Sequence, residues 1–374
     1  MTIKELTITD FRNIESLQLN LHPQFNLLIG ENGSGKTALL EALTVAMGSF
    51  FLGIRGADSR HIRDEDIRLF KTIEGSLEFS AYTAIEAIGQ VNGSPQLQWC
   101  RERNGLSGKT LYRNAGAIKK KSEQIYKALT TPDRTTAIDL PLLVYYSTAR
   151  LWVEGRENTS DRKTSKVIDP KKIPTRLRGY KNALQAKSSF TIMLEWFKGK
   201  FSAARVKGER SFQLDAVCKV IIKNIPNCTN LWWEFDPDKL NTLYVSFENG
   251  DELPFAYLSD GYRNLLGIFA DLAYRCVTLN PHFGEDAPAK SLGLVLIDEL
   301  DLHLHPAWQE NIVQQLKNTF PLLQFVASSH SPFIIQSMED GEVLKVFMNE
   351  VILINGTNQM GIEDIPSIDK HSLI

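Results

Sequence analysis

An α/β fold, with a mixed sheet flanked by helices and a mainly helical lobe inserted into it, is predicted by three observations. Strand-like apolar runs alternate with helix-like stretches at both ends of the 374-residue chain. Phe25–Ile29 and Leu292–Ile297 read as strands buried on both faces, as in a sheet with helices on either side. From about Thr110 the spacing turns helical and the charge turns basic.

The elements follow in order. Ile3, Leu6 and Ile8, then Leu17, Leu19 and Leu21, alternate as an antiparallel strand pair leading into Phe25–Ile29. A Gly-rich turn precedes a helix from Lys36 to about Met47, and strand-like runs lie at Ser76–Ala84, Gln96–Arg101 and Leu140–Tyr146. Lys119–Leu129 and Thr175–Phe201 have helical spacing, separated by a polar loop from Glu154 to Pro174. Strand spacing returns over Leu231–Phe247, and a helix is predicted from Ser259 to about Val277. After Leu292–Ile297 come a helix beyond Pro306, a strand at Leu323–Ala327 and a terminal helix plus strand to Ile354. The predicted organisation is a first part of the core over 1–109, a mainly helical basic insertion over 110–230 with a returning core strand near 140–146, and a second part of the core over 231–374.

Composition narrows the class. At 43% hydrophobic and 23% charged residues the chain reads as an ordinary soluble globular protein. It has no apolar run near the roughly 20 residues that cross a bilayer, and its first ten residues lack the apolar core of a signal peptide. Four scattered cysteines without a CxxC argue against structural zinc and a disulfide framework and fit a reducing cytoplasm. The net charge of −2 divides unevenly: residues 101–210 hold 25 Lys/Arg against 10 Asp/Glu. Such a basic segment, with clusters at Lys119–Lys121, Arg162-Lys163, Lys171-Lys172 and Arg176/Arg178, suits phosphate backbones, an acidic partner or a solvated lobe.

The motifs carry the chemistry. Gly30 to Thr37 matches GxxxxGK[ST] between a predicted strand and helix. Its glycines let successive N–H groups point at phosphate oxygens, with the positive end of the helix dipole behind them. Lys36 is placed to reach the β- and γ-phosphates of ATP, and Thr37 to offer its hydroxyl to Mg²⁺. Leu294–Ile297 ends in Asp298 and Glu299, with Asp298 predicted to hold Mg²⁺ and Glu299 to deprotonate the attacking water. Two acids at a strand end also serve as a helix N-cap cluster, and it is the upstream phosphate loop that selects the catalytic reading. Leu258-Ser259-Asp260-Gly261 opens a helix about 40 residues before Asp298, offering hydroxyl, N–H groups and dipole to an anion. The strand Phe325–Ala327 leads to Ser328-Ser329-His330, which puts His330 at a strand tip beside the ligand edge of the sheet. His303 and His305, two apart and without a third ligand, fit a metal pair poorly.

Together these residues resemble the ABC-type ATPases of the SMC, RecF and OLD branch. Phe11-Arg12-Asn13-Ile14 is similar to that branch's opening segment, Ser259-Asp260-Gly261 to its signature loop, Asp301 to its D-loop and His330 to its switch histidine. The resemblance implies an ABC-type P-loop head working as a homodimer, or a higher oligomer, with ATP at the interface and each signature facing the other chain's nucleotide. It implies a nucleotide-binding set of Arg12, Asn32, Gly33, Ser34, Gly35, Lys36, Thr37, Ala38, Ser259, Asp260, Gly261 and Asp301. Catalysis would rest on Glu299, His330 and Lys36, and Mg²⁺ on Thr37 and Asp298. Asp260 stands where the family signature has a glycine and Tyr262 where it has Gln or Glu. No Q-loop glutamine is placed.

Arg178-Gly179-Tyr180, Trp196-Phe197 and the Tyr146–Arg150 run resemble bacterial anti-phage ATPases, notably the ATPase subunit of Septu-type systems, also found beside retrons. Only 44 residues follow His330, too few for the nuclease domain of the OLD proteins, and the middle carries neither long heptads nor a CxxC hook. The resemblance therefore implies a cytoplasmic ATPase switch with its nuclease, of HNH type, on another chain. A RecF-like DNA-binding ATPase without a nuclease partner is the alternative, with nucleic acid bound through the basic insertion. A transporter ATPase fits the motifs but neither the insertion nor the Phe11–Ile14 segment.

Overall fold

The computed structural model describes residues 1–131, 137–151, 174–185, 190–236, 238–347 and 349–357. Most of the polar loop from Glu154 to Pro174, with Arg162-Lys163 and Lys171-Lys172, lies outside the described residues.

Two sheets enclose one helix. The first is antiparallel, in the order β2 (Ile14–Asn20), β1 (Thr2–Phe11), β6 (Thr83–Gln90), β7 (Leu97–Arg103). The second runs β15 (Glu350–Ile354), β14 (Val343–Phe347), β3 (Phe25–Ile29), β13 (Leu323–Ser328), β12 (Gly293–Ile297), β8 (Leu142–Tyr146). Its strands pair in parallel except for the β14–β15 hairpin. Every residue of β3, β8, β12 and β13 is buried, which explains their mostly apolar reading in sequence, and the buried polar exceptions Asn26, Gln324 and Ser328 are hydrogen-bonded. Between the sheets lies α1 (Lys36–Phe51), touching β1, β6 and β7 on one side and β12 and β13 on the other. All its residues are buried except Thr37 and Glu41, so an all-round apolar helix is what this slot demands.

A three-stranded sheet, β11 (Glu252–Pro254), β10 (Leu243–Phe247), β9 (Cys228–Trp233), and a small hairpin, β4 (Leu69–Lys71) with β5 (Leu77–Phe79), complete the strands among the described residues. On the β8 side, α5 (Asp260–Leu279) packs against α3 (Phe190–Lys207) and α4 (Phe212–Asn224). The short α6 (Ala287–Lys290) precedes β12, and α7 (Pro306–Thr319) and α8 (Pro332–Gln336) flank β13 in sequence. In the middle region α2 (Gly116–Thr130) packs on α1 and β7. Ile118, Leu177, Phe197 and Leu214 join the same hydrophobic core as the two ends of the chain. The four cysteines are free.

Three stretches divide differently from their spacing. Ser76–Ala84 is broken between β5 and β6 at Ser80, whose hydroxyl lies 2.9 Å from Asp10 Oδ2 and 2.8 Å from the Tyr82 carbonyl and accepts the Tyr82 amide at 3.2 Å, so that side-chain bonds stand in for ladder bonds there. Leu231–Phe247 is two antiparallel strands, with Leu243 opposite Trp233. Thr175–Tyr180 forms a 3-10 turn, and α3 begins only at Phe190. Gly179 in that turn lies against Leu279, whose Cγ would be 2.6 Å from a Cβ there.

Candidate nucleotide site

The parallel strands β3, β13, β12 and β8 end at one edge of their sheet, where loops carrying ligand-binding groups collect in α/β folds. After β3 the chain turns through Gly30, Gly33 and Gly35 at φ 145°, 81° and 106° and enters α1 at Lys36. A Cβ on Gly30 would lie 2.6 Å from the Val346 carbonyl oxygen, so no larger residue fits the turn. The space next to Gly33 is open, and among the described residues the buried Ser34 hydroxyl has no hydrogen-bond partner. An orphaned hydroxyl beside a glycine loop is what phosphate oxygens would satisfy. The Lys36 ammonium donates to the Gly30 and Glu31 carbonyls at 2.8 and 2.9 Å. Burial lowers its pKa, against the pull of Asp298, Glu299 and Asp301.

The two motifs meet across the sheet. Thr37 Oγ1 donates to Asp298 Oδ2 at 3.0 Å. Ser328, at the end of β13, donates its hydroxyl to Asp298 Oδ1 at 2.6 Å and accepts the Glu299 amide at 2.8 Å. A hydroxyl and a carboxylate this close, open to a phosphate-sized space, are the donor set Mg²⁺ takes with phosphate and water oxygens. A cavity of about 580 Å³ brings together Arg12, Asn32, Gly33, Gly35, Lys36, Thr37, Ala38, Asp298, Glu299 and His330. Asp301 stands behind His330, whose backbone amide donates to Asp301 Oδ1 at 3.4 Å.

Electrostatics sort the two titrating groups. Burial first, then the charges of Asp298 and Asp301, push the Glu299 carboxyl above the usual glutamate range. Burial and the Lys36 charge lower His330, so its ring is neutral at neutral pH. If Glu299 is the base, its function is lost as pH falls through its raised pKa. The acid limb of kcat against pH is therefore expected above the ordinary carboxylate range, and absent from the residual activity of Glu299→Gln. An unchanged limb in the variant would assign it to another group.

The signature residues are elsewhere. Ser259 caps α5 and lines a separate cavity of about 570 Å³ with Phe247, Glu248, Asp251 and Tyr262. None of Ser259, Asp260 and Gly261 lines the cavity at the phosphate loop of the same chain. Gly261 is fixed by packing: a Cβ there would lie 2.6 Å from the His303 carbonyl oxygen, so the start of α5 sits directly on the loop that carries Asp301. Asp260 is paired with Arg263. Tyr262 packs edge-on against Trp308 and Phe247, with ring centroids 4.6 and 5.2 Å away, which gives this departure from the family pattern a packing role. His305 accepts the Ala307 amide as the cap of α7.

Sequence reading named Arg12, and Asn13 as part of the opening segment, but not Asp66 or Arg60 or what Arg150 does at the site. Asn13 donates its side-chain amide to the Gly33 carbonyl at 3.0 Å and braces the phosphate loop. Arg12, in a left-handed backbone conformation (φ 53°), is held by Asp66 at 3.0 Å. Burial alone would raise Asp66, but Arg60, Arg63 and Arg12 outweigh it and hold its carboxyl below the usual range. Arg150 is buried behind Asp298 and Glu299; burial lowers it to about 10, so it stays cationic at neutral pH. The Tyr146–Arg150 run was the only signal for Arg150, and Asp66 and Arg60 carried none.

Fold and site define an ABC-type P-loop head of the kind found in SMC-like ATPases. A solved SMC head bound to the C-winged helix domain of ScpA superposes with a TM-score of 0.55 at 15% identity, covering 96% of this chain and 99% of that one. The family profile described as "AAA domain, putative AbiEii toxin, Type IV TA system" matches residues 25–336, and the chain belongs to this family. Relatives include the "Retron Vc95 probable ATPase" of Vibrio cholerae serotype O1 biovar El Tor, 24% identical over 91% of this chain and 72% of that protein. The "Septu protein PtuA" of Bacillus thuringiensis is 28% identical over 94% of this chain and 77% of its own length. The resemblance drawn from the motifs to Septu-type and retron-associated ATPases is thus found along most of the chain.

Proposed function

We propose that this chain is the ATP-hydrolysing switch of a bacterial anti-phage complex, acting as a dimer closed around ATP and controlling a nuclease carried on a separate chain. The observation that carries the dimer is the half-built site: one cavity gathers the phosphate loop, Asp298, Glu299 and His330 but not Ser259 or Gly261. A second copy related by a two-fold axis would bring its signature to each nucleotide. Relatives bearing the Septu and retron names support the defence role. No helix among the described residues is long and apolar enough to cross a membrane, and a cytoplasmic setting goes with the defence reading.

In this reading the phosphate loop and Lys36 would hold the β- and γ-phosphates, and Thr37 and Asp298 would hold Mg²⁺, which would supply charge neutralisation. Water attacks the γ-phosphorus, its proton passes to the Glu299 carboxylate, and the bond to the β–γ bridging oxygen breaks with its electron pair leaving on ADP. His330, neutral and lining the same cavity, would hydrogen-bond the γ-phosphate. Co-purification from native cells tests the partner: a co-eluting nuclease is the expected result, and a chain that always elutes alone contradicts it.

The RecF-like alternative is favoured by one observation, the exposed cations Lys120 and Lys127 on α2, with Lys119 and Lys121 half-exposed beside them. The basic stretch is otherwise partly spent on structure: Arg101, Arg103 and Arg150 are buried, and Arg176 donates to the Leu279 carbonyl at 2.7 Å. If α2 binds duplex DNA, Lys119→Glu, Lys120→Glu and Lys121→Glu together weaken binding and reduce the slope of log K against log salt by about 0.9 for each lost phosphate contact. An unchanged slope, with the partner nuclease lost, would assign α2 to docking instead.

A further inference from the structure

A buried network behind the nucleotide cavity joins three loops that the motifs treat separately. Arg150 follows β8 and is 1% exposed. Its guanidinium donates to the Asp298 carbonyl at 2.5 Å, the Glu299 carbonyl at 2.7 Å and the Ser147 carbonyl at 3.1 Å. Its Nε donates to the Asn264 side-chain oxygen at 2.8 Å. Asn264 lies in the second turn of α5, five residues after Ser259, and its amide nitrogen donates to the Leu302 carbonyl at 2.7 Å. The Asp298–Glu299 backbone, the loop after Asp301 and the signature helix are therefore fastened to one another through two side chains.

Glu299 is the residue in this group that most needs fastening. Its φ is 49°, left-handed backbone that a glutamate rarely adopts. Arg150 fixes its carbonyl and Ser328 its amide. A buried guanidinium that releases one acceptor is left with uncompensated donors, so Arg150 tends to move with its partners. We propose that Arg150 and Asn264 are positioning residues that tie the Glu299 backbone to the signature helix, so that a shift of α5 caused by a nucleotide seating on Ser259 reaches the general base of the same chain. This rests on the reading of Glu299 as that base.

The test uses the full chain with Asn264→Leu and Arg150→Lys, singly, together and each combined with Glu299→Gln. ATP·Mg²⁺ affinity, single-turnover rate and melting temperature are measured for every variant. The relay predicts affinity within about 3-fold of wild type and rates reduced by about 10–100-fold in each single variant. The two losses do not multiply when combined, and neither adds to the loss in Glu299→Gln, as for residues acting through one group. Where Arg150→Lys does not fold, Asn264→Leu makes the comparison by itself. Wild-type turnover in a folded Asn264→Leu chain overturns the proposal, as do losses that multiply with that of Glu299→Gln or a loss of affinity equal to the loss of rate. Wild-type turnover in Glu299→Gln overturns the general-base reading as well, and is recognised because Arg150 and Asn264 are intact in that variant.

Discussion

Glu299→Gln is expected to bind ATP and Mg²⁺ as wild type does while turnover falls by on the order of 10²-fold or more. The substitution keeps size and hydrogen bonding but removes the proton acceptor. Lys36, Thr37 and Asp298, which the account assigns to phosphates and metal, are untouched. Lys36→Ala is expected to lose nucleotide binding itself. The structure adds a further reason: the ammonium also spans the Gly30 and Glu31 carbonyls, so its removal loosens the loop that would cradle the phosphates. Nucleotide titration and turnover, measured side by side, separate the two variants. Equal turnover in Glu299→Gln would remove that carboxylate from the mechanism, and full ATP affinity in Lys36→Ala would remove the phosphate loop from binding.

What was legible in the sequence was what local rules enforce. A strand buried on both faces is mostly apolar, a loop that wraps phosphates must be rich in glycine, and a helix start favours a serine cap; Phe25–Ile29, Gly30–Thr37 and Ser259 follow these rules within a few residues of chain. The meeting of Thr37 and Asp298, 261 positions apart, was inferred from motif roles and appears in the structure as a 3.0 Å hydrogen bond. Long-range supports were not legible. Nothing near Arg150 in the chain indicates that its guanidinium will lie against carbonyls 148 and 149 positions away. Arg60 and Asp66, in a stretch without clear periodicity, gave no sign of the buried pairing that holds Arg12. The break at Ser80 was hidden because apolar spacing continues across it, and only a side-chain hydroxyl competing for backbone partners interrupts the ladder.

Two inactive chains are expected to restore each other. Ser259→Arg puts a bulky cation where the partner's nucleotide would rest on the signature, and Lys36→Ala empties the chain's own phosphate loop. In a homodimer either change spoils both sites. In a mixed dimer the intact phosphate loop of the first chain faces the intact signature of the second, which leaves about one working site per heterodimer. The separation of Ser259 from the phosphate-loop cavity of its own chain is the observation behind this expectation. ATP contacting both chains also favours association, because a ligand bound by the dimer stabilises the dimer. The central claim, that ATP is hydrolysed between two copies of this chain, is tested most directly by the turnover of such mixtures, with heterodimers isolated through two different affinity tags. The account predicts ATPase activity in the doubly tagged fraction and none in either parent. Isolated heterodimers as inactive as their parents would contradict it.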